Sequence, residues 1–340
     1  MTPHDPHAIV EIGSEVFDSW EHSQLFDSLN IELTTNQASQ AEWRIVDPDF
    51  KRLDGWTAAG GGIAELPVKV RIGFGASLGA PVFTGVIGRV EWGGGLTTLR
   101  AYDAGFKMRK VQKTEYHKGT ALQIIAKLAR RNGLQFEGPD PAVKLDNLKS
   151  AKQEGDTDWA YALGLAEESG FVLFVRGTTL YAKEAAKTAA SPVLTLTYQD
   201  DFVLLDEFDL VFSVPENQEG RPSRVETRAR NQTGRRLKGQ SGQHQRGTEV
   251  LIVKRDLRVR SKQTADRRAE ARKALQREHA FDCHVTILPT FRGKFPDVRE
   301  TVALARLGKL FTGKYLIDRA GYRFAAGELS GNLDLYADIK

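Results

Sequence analysis

The 340 residues predict a mainly β protein with an α+β insert: two β-barrel-like domains separated by a small α+β domain. Three observations lead there. Short segments with two-residue alternation occupy residues 30–113, two segments of helical period follow, and strand-like segments return after residue 191. At roughly 100–200 residues per domain, the length fits two or three domains.

In the first part, residues 30–33, 42–46, 64–72, 82–92 and 97–102 are short and partly alternating. In Val68-Lys69-Val70-Arg71-Ile72 apolar residues alternate with basic ones, as in a strand with one wet face. Gly60-Gly61-Gly62 and Gly93-Gly94-Gly95 break the pattern and read as turns. Several short strands at this spacing predict a small barrel or sandwich over residues 31–113. Ahead of it, Phe17, Trp20, Leu25, Phe26 and Leu29 read as the apolar stripe of an amphipathic helix, so residues 1–30 are expected to be an N-terminal docking segment.

The middle part, residues 114–190, changes period. Thr120 is placed to cap a helix whose third residue is Gln123, a capping box. Leu122, Ile125 and Leu128 follow at helical spacing, and Gly133 stops the helix. A second helix starts near Asp156 or Thr157, with Trp159, Ala162, Leu163 and Ala166 as its stripe and Gly170 as its end. Phe171-Val172-Leu173-Phe174-Val175 is an apolar run of strand length, and a turn at Gly177-Thr178 returns the chain through residues 179–182. Residues 185–191 read as a linker.

The last part, residues 191–340, forms the second barrel-like domain. Residues 193–198, 203–212, 224–230, 250–253, 281–288, 301–305, 313–320 and 329–337 are strand-like. Residues 231–247 are rich in Gly, Gln, Ser and basic residues, which predicts a long exposed loop. Residues 264–280 predict a helix with an alanine-rich face.

Charge is unevenly spread. Residues 1–66 hold 12 Asp/Glu against 3 Lys/Arg, a balance of -9. Residues 221–277 hold 18 Lys/Arg against 5 Asp/Glu, a balance of +13. In a self-assembling protein such regions can face each other across subunits. The candidate contact residues are therefore Arg235, Arg236, Lys238 and Arg246 in the basic loop, with Phe17, Trp20, Leu25 and Phe26 in the N-terminal segment. The basic loop has no aromatic residue for base stacking, so phosphate contact without sequence reading is the most it offers nucleic acid.

Composition narrows the function classes. Apolar residues make up 41% and charged residues 27%, which excludes general disorder. There is no apolar run long enough to span a bilayer as a helix, and no signal peptide is expected at the polar N-terminus. The single cysteine, Cys283, excludes an intrachain disulfide and a multi-cysteine zinc site. Gly73, Gly75 and Gly79 miss the dinucleotide fingerprint by one residue, and there is no Gly-Lys-Ser/Thr phosphate loop. Asp282, Cys283 and His284 share a strand, so alternation turns Cys283 away from its neighbours and a buried structural thiol is expected. The seven histidines show no metal spacing. No catalytic, cofactor-binding or metal-binding residues are assigned, and no enzyme activity is expected.

The order of parts resembles the phage late control protein D family, the baseplate or tail-tip hub proteins of contractile phage tails and related injection systems. Phe83-Thr84-Gly85-Val86-Ile87-Gly88-Arg89-Val90-Glu91 is similar to the family's first-barrel strand, and Arg100-Ala101-Tyr102-Asp103 to its closing strand. Asp158-Trp159, followed by Leu163 and Ala166-Glu167-Glu168-Ser169-Gly170-Phe171, resembles its helix and turn. Thr179-Leu180-Tyr181 resembles the return strand, and Gly313-Lys314-Tyr315-Leu316-Ile317 the ending pattern. The resemblance covers residues 30–340. It implies a homotrimeric ring whose three chains present six similar units, adapting a sixfold tail tube to a threefold spike. It also implies contacts with tape-measure and other baseplate proteins, passage of DNA without sequence-specific binding, and a place in the virion tail after assembly in the host cytoplasm. The alternatives are a tail-associated peptidoglycan-degrading enzyme and a basic nucleic-acid-binding protein.

Overall fold

The structure, a computed structural model, describes residues 5–49, 51, 65–76, 78–139, 148–184, 191–205, 210–212, 224–230, 236–241, 250–254, 266, 269 and 281–337. A 14-stranded sheet draws seven strands from the start of the chain and seven from its end. The mainly β fold with an α+β insert is the one the sequence predicts.

The first set comprises β1 (Pro6–Ile12), β2 (Glu15–Asp18), β3 (Phe26–Thr34), β4 (Gln40–Val46), β5 (Pro67–Phe74), β6 (Phe83–Gly93) and β7 (Leu96–Asp103). They lie in the order β2-β1-β5-β6-β7-β4-β3. Alternation fixes which face is wet. Val68, Val70 and Ile72 of β5 are buried, while Lys69 and Arg71 reach Glu11 on β1.

Residues 6–12, 15–18 and 26–34 are strands of this set, which corrects the expected amphipathic helix. Phe17 is 1% exposed, and its ring meets that of Trp43 edge-on at 4.5 Å. Phe26 lies between Trp43 and Phe324. The aromatic spacing that imitates a helix comes from two strands and the turn between them, which bring Phe17 and Phe26 into one core.

Two motif residues meet across the sheet. Gly85 on β6 pairs with Asp103 on β7, beside Tyr102. A Cβ at Gly85 would collide with the Tyr102 carbonyl oxygen, so the close approach of the strands requires glycine. Asp103 is buried and accepts from the backbone N–H groups of Ser39 and Gly105, which ties the end of β7 to the segment before β4.

The middle unit contains β8 (Gln112–Gly119), α1 (Ala121–Arg131), β9 (Gln135–Glu137), β10 (Leu148–Thr157), α2 (Asp158–Glu168), β11 (Phe171–Arg176) and β12 (Thr179–Glu184). Both halves of the predicted capping box at Thr120 and Gln123 are present. Thr157 caps α2 through the backbone N–H of Ala160. The helices bury Ile124, Ile125, Leu128, Trp159, Ala162 and Leu165, while Leu163 is only partly buried. The apolar run at β11 is buried on both faces: Phe171 and Leu173 enter the middle core, and Phe174 enters the core of the large sheet.

The second set comprises β13 (Leu194–Thr197), β14 (Phe202–Val203), β15 (Leu210–Phe212), β19 (Phe281–Ile287), β20 (Thr301–Ala305), β21 (Gly313–Ala325) and β22 (Glu328–Ala337). A separate sheet, in the order β17-β16-β18, is formed by β16 (Arg224–Arg230), β17 (Arg236–Ser241) and β18 (Val250–Lys254). β21 joins the two sets. Its start pairs with β20 and its end pairs with β3, while β22 runs along its other side. The ladder shifts register between Ile317 and Arg319. There Asp318 is held by Thr35, through the Thr35 N–H to its carbonyl at 3.3 Å and the Thr35 hydroxyl to its carboxylate.

The Gly85→Ala variant is expected to force β6 off β7 and lower unfolding stability by about 2–3 kcal/mol. Chemical denaturation checks this, and unchanged stability would show that the strands can part without cost.

Candidate assembly surfaces

The residues expected at contacts fall into two groups, and their positions differ. Phe17 and Phe26 belong to the core and offer nothing to a partner. Trp20 and Leu25 are half-buried in the turn between β2 and β3. Trp20 Nε1–H donates to the Pro6 carbonyl at 2.8 Å, and the indole stacks on His7 with centroids 4.0 Å apart. The His7 ring nitrogens lie 2.9 Å from the Gly75 carbonyl and 3.0 Å from the Asp18 carboxylate. Burial raises the Asp18 carboxyl, but the Trp20 N–H and His7 outweigh it and hold it below its ordinary value. The N-terminal group therefore fastens the edge of the sheet.

Of the basic group, Arg236 and Lys238 lie on β17, and Arg235 and Arg246 lie outside the described residues. The long loop expected over 231–247 thus contains a strand. Arg236-Leu237-Lys238-Gly239-Gln240-Ser241 has little strand signal of its own, and its pairing with β16 supplies the order. Of the helix expected over 264–280, Asp266 and Ala269 are helical and the rest lies outside the described residues.

The middle unit is fastened to both strand sets. Asn36, with φ of 57°, donates its N–H to the Leu173 carbonyl at 2.7 Å and accepts the Leu173 N–H on its side chain at 3.0 Å. Its carbonyl accepts Trp159 Nε1–H at 3.3 Å. The left-handed backbone is one that asparagine tolerates well. The Arg109 guanidinium lies 3.6 Å from the Trp159 ring centre and donates to Asp103 at 3.1 Å. Toward the second set, Arg176 Nε is 2.6 Å from Asp297, and Arg299 donates to the Glu184 carbonyl at 2.8 Å.

These clusters also bear on acid–base chemistry. Burial raises the Asp158 carboxyl, but hydrogen bonds from Arg131, Asn132 and Gln153 overcome it and hold it at about 2. A carboxyl so held is a fixed acceptor near neutral pH, not a proton donor. Burial pushes Asp297 up against the pull of Arg176, and its backbone N–H caps Glu300. This carboxylate pair ties Arg176 and Lys294 into the junction between units. Cys283 is buried on β19, with its neighbours on the other face, as alternation requires.

The open edges of the large sheet are the remaining surfaces. Among the described residues β2 pairs only with β1, and β13 only with β20. Apolar residues stand exposed at both: Val16 on β2 at 54% and Val193, just before β13, at 52%. Tyr116, on the β8–β10 ribbon, is 66% exposed.

No family model matches the chain, and no curated protein does. Solved structures match it along its length. A tail protein from Neisseria meningitidis superposes with a TM-score of 0.73 over 98% of this chain and 97% of that one, at 16% identity. The 43 kDa tail protein of prophage MuSo2 from Shewanella oneidensis gives 0.67 over 98% of both chains, at 15% identity. An Escherichia coli component of the type VI secretion system, with structural similarity to the T4 bacteriophage tail proteins gp27 and gp5, gives 0.58 over 97% of this chain and 77% of that one, at 10% identity. The fold is therefore one shared by phage tail proteins and a type VI secretion component.

Protonating Asp158 would release Arg131 and Asn132. Because its folded value lies below the ordinary 3.8, its contribution is complete above that pH and is lost as pH falls toward about 2. The Asp158→Asn variant is expected to be less stable by about 3 kcal/mol at pH 7 and to lose less stability than the parent between pH 4 and pH 2, on the order of the range set by linkage. Urea titrations at each pH check this, and parallel profiles for both proteins would remove Asp158 from the account.

Proposed function

We propose that the chain is a structural hub of a phage tail tip or related injection machine, close to the late control protein D family, and works as a homotrimeric ring. Three copies supply six similar strand sets, which adapt a sixfold tail tube to a threefold central spike and leave a channel for the genome. The supporting observation is the presence of two seven-strand sets in one chain with a tail-protein fold along 98% of its length. Each set has an open edge with an exposed valine, the kind of edge that pairs with a neighbouring chain. In this reading the tail tube, the spike, the tape-measure protein and other baseplate proteins are the partners, DNA passes without sequence-specific binding, and the protein resides in the virion after assembly in the host cytoplasm.

The reading assigns no catalysis. Asp103 is committed to Ser39 and Arg109, Asp158 to Arg131 within the middle unit, and Asp297 to Arg176 across two units. Sedimentation equilibrium checks the ring: the expected mass is three times 37.7 kDa. A monomer that hydrolyses cell-wall peptidoglycan would support the enzyme alternative, and a monomer with salt-sensitive DNA binding would support the nucleic-acid alternative.

A further inference from the structure

We propose that His7 is held as a doubly protonated imidazolium that clasps the β1–β2 edge of the large sheet, and that loss of its second proton loosens this edge. The clasp belongs to a single chain and stands whether or not the chains form a ring.

The partners of the ring carry the first step. His7 lies near the start of β1 and is 2% exposed. Its Nδ1 is 2.9 Å from the Gly75 carbonyl oxygen, and its Nε2 is 3.0 Å from Asp18 Oδ2. A carbonyl and a carboxylate only accept. A neutral imidazole has one N–H, so its other nitrogen would turn a lone pair toward an oxygen at that distance. The imidazolium donates at both positions. Asp18 Oδ1 accepts the backbone N–H groups of Trp20 at 2.8 Å and Glu21 at 3.4 Å, which favours the carboxylate and leaves the shared proton on His7. The Trp20 indole covers the ring at 4.0 Å with the planes 11° apart, a face-on arrangement that favours a cation.

Other charged groups around His7 are engaged elsewhere. Glu11 and Arg71, which follow on the same face of β1 and β5, pair with each other, and Lys69 also reaches Glu11. Arg292 lies over the Phe74 ring beside Gly75. In the turn after β2, His22 uses its Nδ1 to accept the Asp18 backbone N–H at 3.2 Å, and Glu21 is exposed. Among the described residues, Asp18 is the one charged side chain bonded to the His7 ring.

The clasp joins three segments: the start of β1, the turn after β5 and the turn after β2. β2 has four residues and, among the described residues, pairs only with β1. So short an edge strand depends on what holds its end. Removing the second proton sets lone pair against lone pair in a site with little water, and Asp18 loses its counter-charge. Opening the edge lets water reach the carboxylate.

Neutron diffraction and hydrogen exchange on the full-length chain test this. At pH 6, diffraction is expected to place a hydrogen on both ring nitrogens of His7. Exchange is measured at pH 6 and pH 9 and divided by the rate of an unstructured peptide. Residues 5–12 and 15–22 should lose about tenfold in protection at pH 9, while residues 96–103 on β7 keep theirs. His7→Phe retains a ring against Trp20 but donates nothing, and its edge should exchange fast at both pH values. His22→Gln still offers an acceptor to the Asp18 N–H without titrating, and should respond to pH as the parent does. A bare ring nitrogen at pH 6, equal edge protection at both pH values, a response that survives in His7→Phe, or one that disappears in His22→Gln overturns the proposal. The diffraction and the two parent rates decide the matter even where a variant does not fold.

Discussion

The structure depends on one strand being shared. β21 leaves β20, its neighbour within the second set, and continues as the neighbour of β3 in the first. Its ladder shifts at the point of exchange, where Thr35 holds Asp318. Through this strand the hydrogen bonds of the two sets become one sheet, and Phe26, Trp43 and Phe324 fill the core on both sides of the join. A flexible linker would leave the sets free to rotate, but a continuous ladder fixes their relative twist. On the outer face, Glu32, Arg319, Asp334 and His284 form a row of polar contacts across β3, β21, β22 and β19. Exposed pairs of this kind add little stability each. Their effect here is to keep the joined face wet and free of apolar surface.

The middle unit strengthens the join without interrupting it. It has its own core, yet β11 turns Phe174 into the core of the large sheet. Asn36 and Arg109 fasten it to the first set, and Arg176 and Arg299 fasten it to the second. Polar groups at these places are paired with partners from another unit, so separating the units would exchange those contacts for water. The inserted unit therefore resists relative movement of the two strand sets.

How much of this the sequence discloses follows from where the ordering forces lie. The capping box at Thr120, the apolar run at Phe171–Arg176, and the alternation in Pro67–Phe74 are local, and each names its own structure. The long-range pairs are different. β2 and the start of β3 are hidden because Phe17, Trp20 and Phe26 mimic helical spacing, and Phe17 and Phe26 meet at Trp43 only after the sheet forms. β10, with the sequence Leu-Lys-Ser-Ala-Lys-Gln-Glu-Gly-Asp-Thr, has almost no apolar pattern and is ordered by β8. β17 depends in the same way on β16. Of the candidate contact residues, Arg236 and Lys238 are candidates by charge alone, whereas Phe17 and Phe26 lie in the core, because aromatic residues mark cores as readily as interfaces. Gly85 and Tyr102-Asp103 are visible as separate motifs, but their meeting across two strands needs the fold.

The sharing of β21 makes each chain a continuous pair of strand sets, and in the proposed ring three such pairs would imitate a six-membered circle. Electron cryomicroscopy of the assembled particle, viewed along its axis, tests this claim most directly. The account calls for six similar lobes around a central opening, two from every chain, with the strand ladder unbroken between the lobes of a pair. Three lobes, a closed centre, or paired lobes joined only by a loop would contradict it.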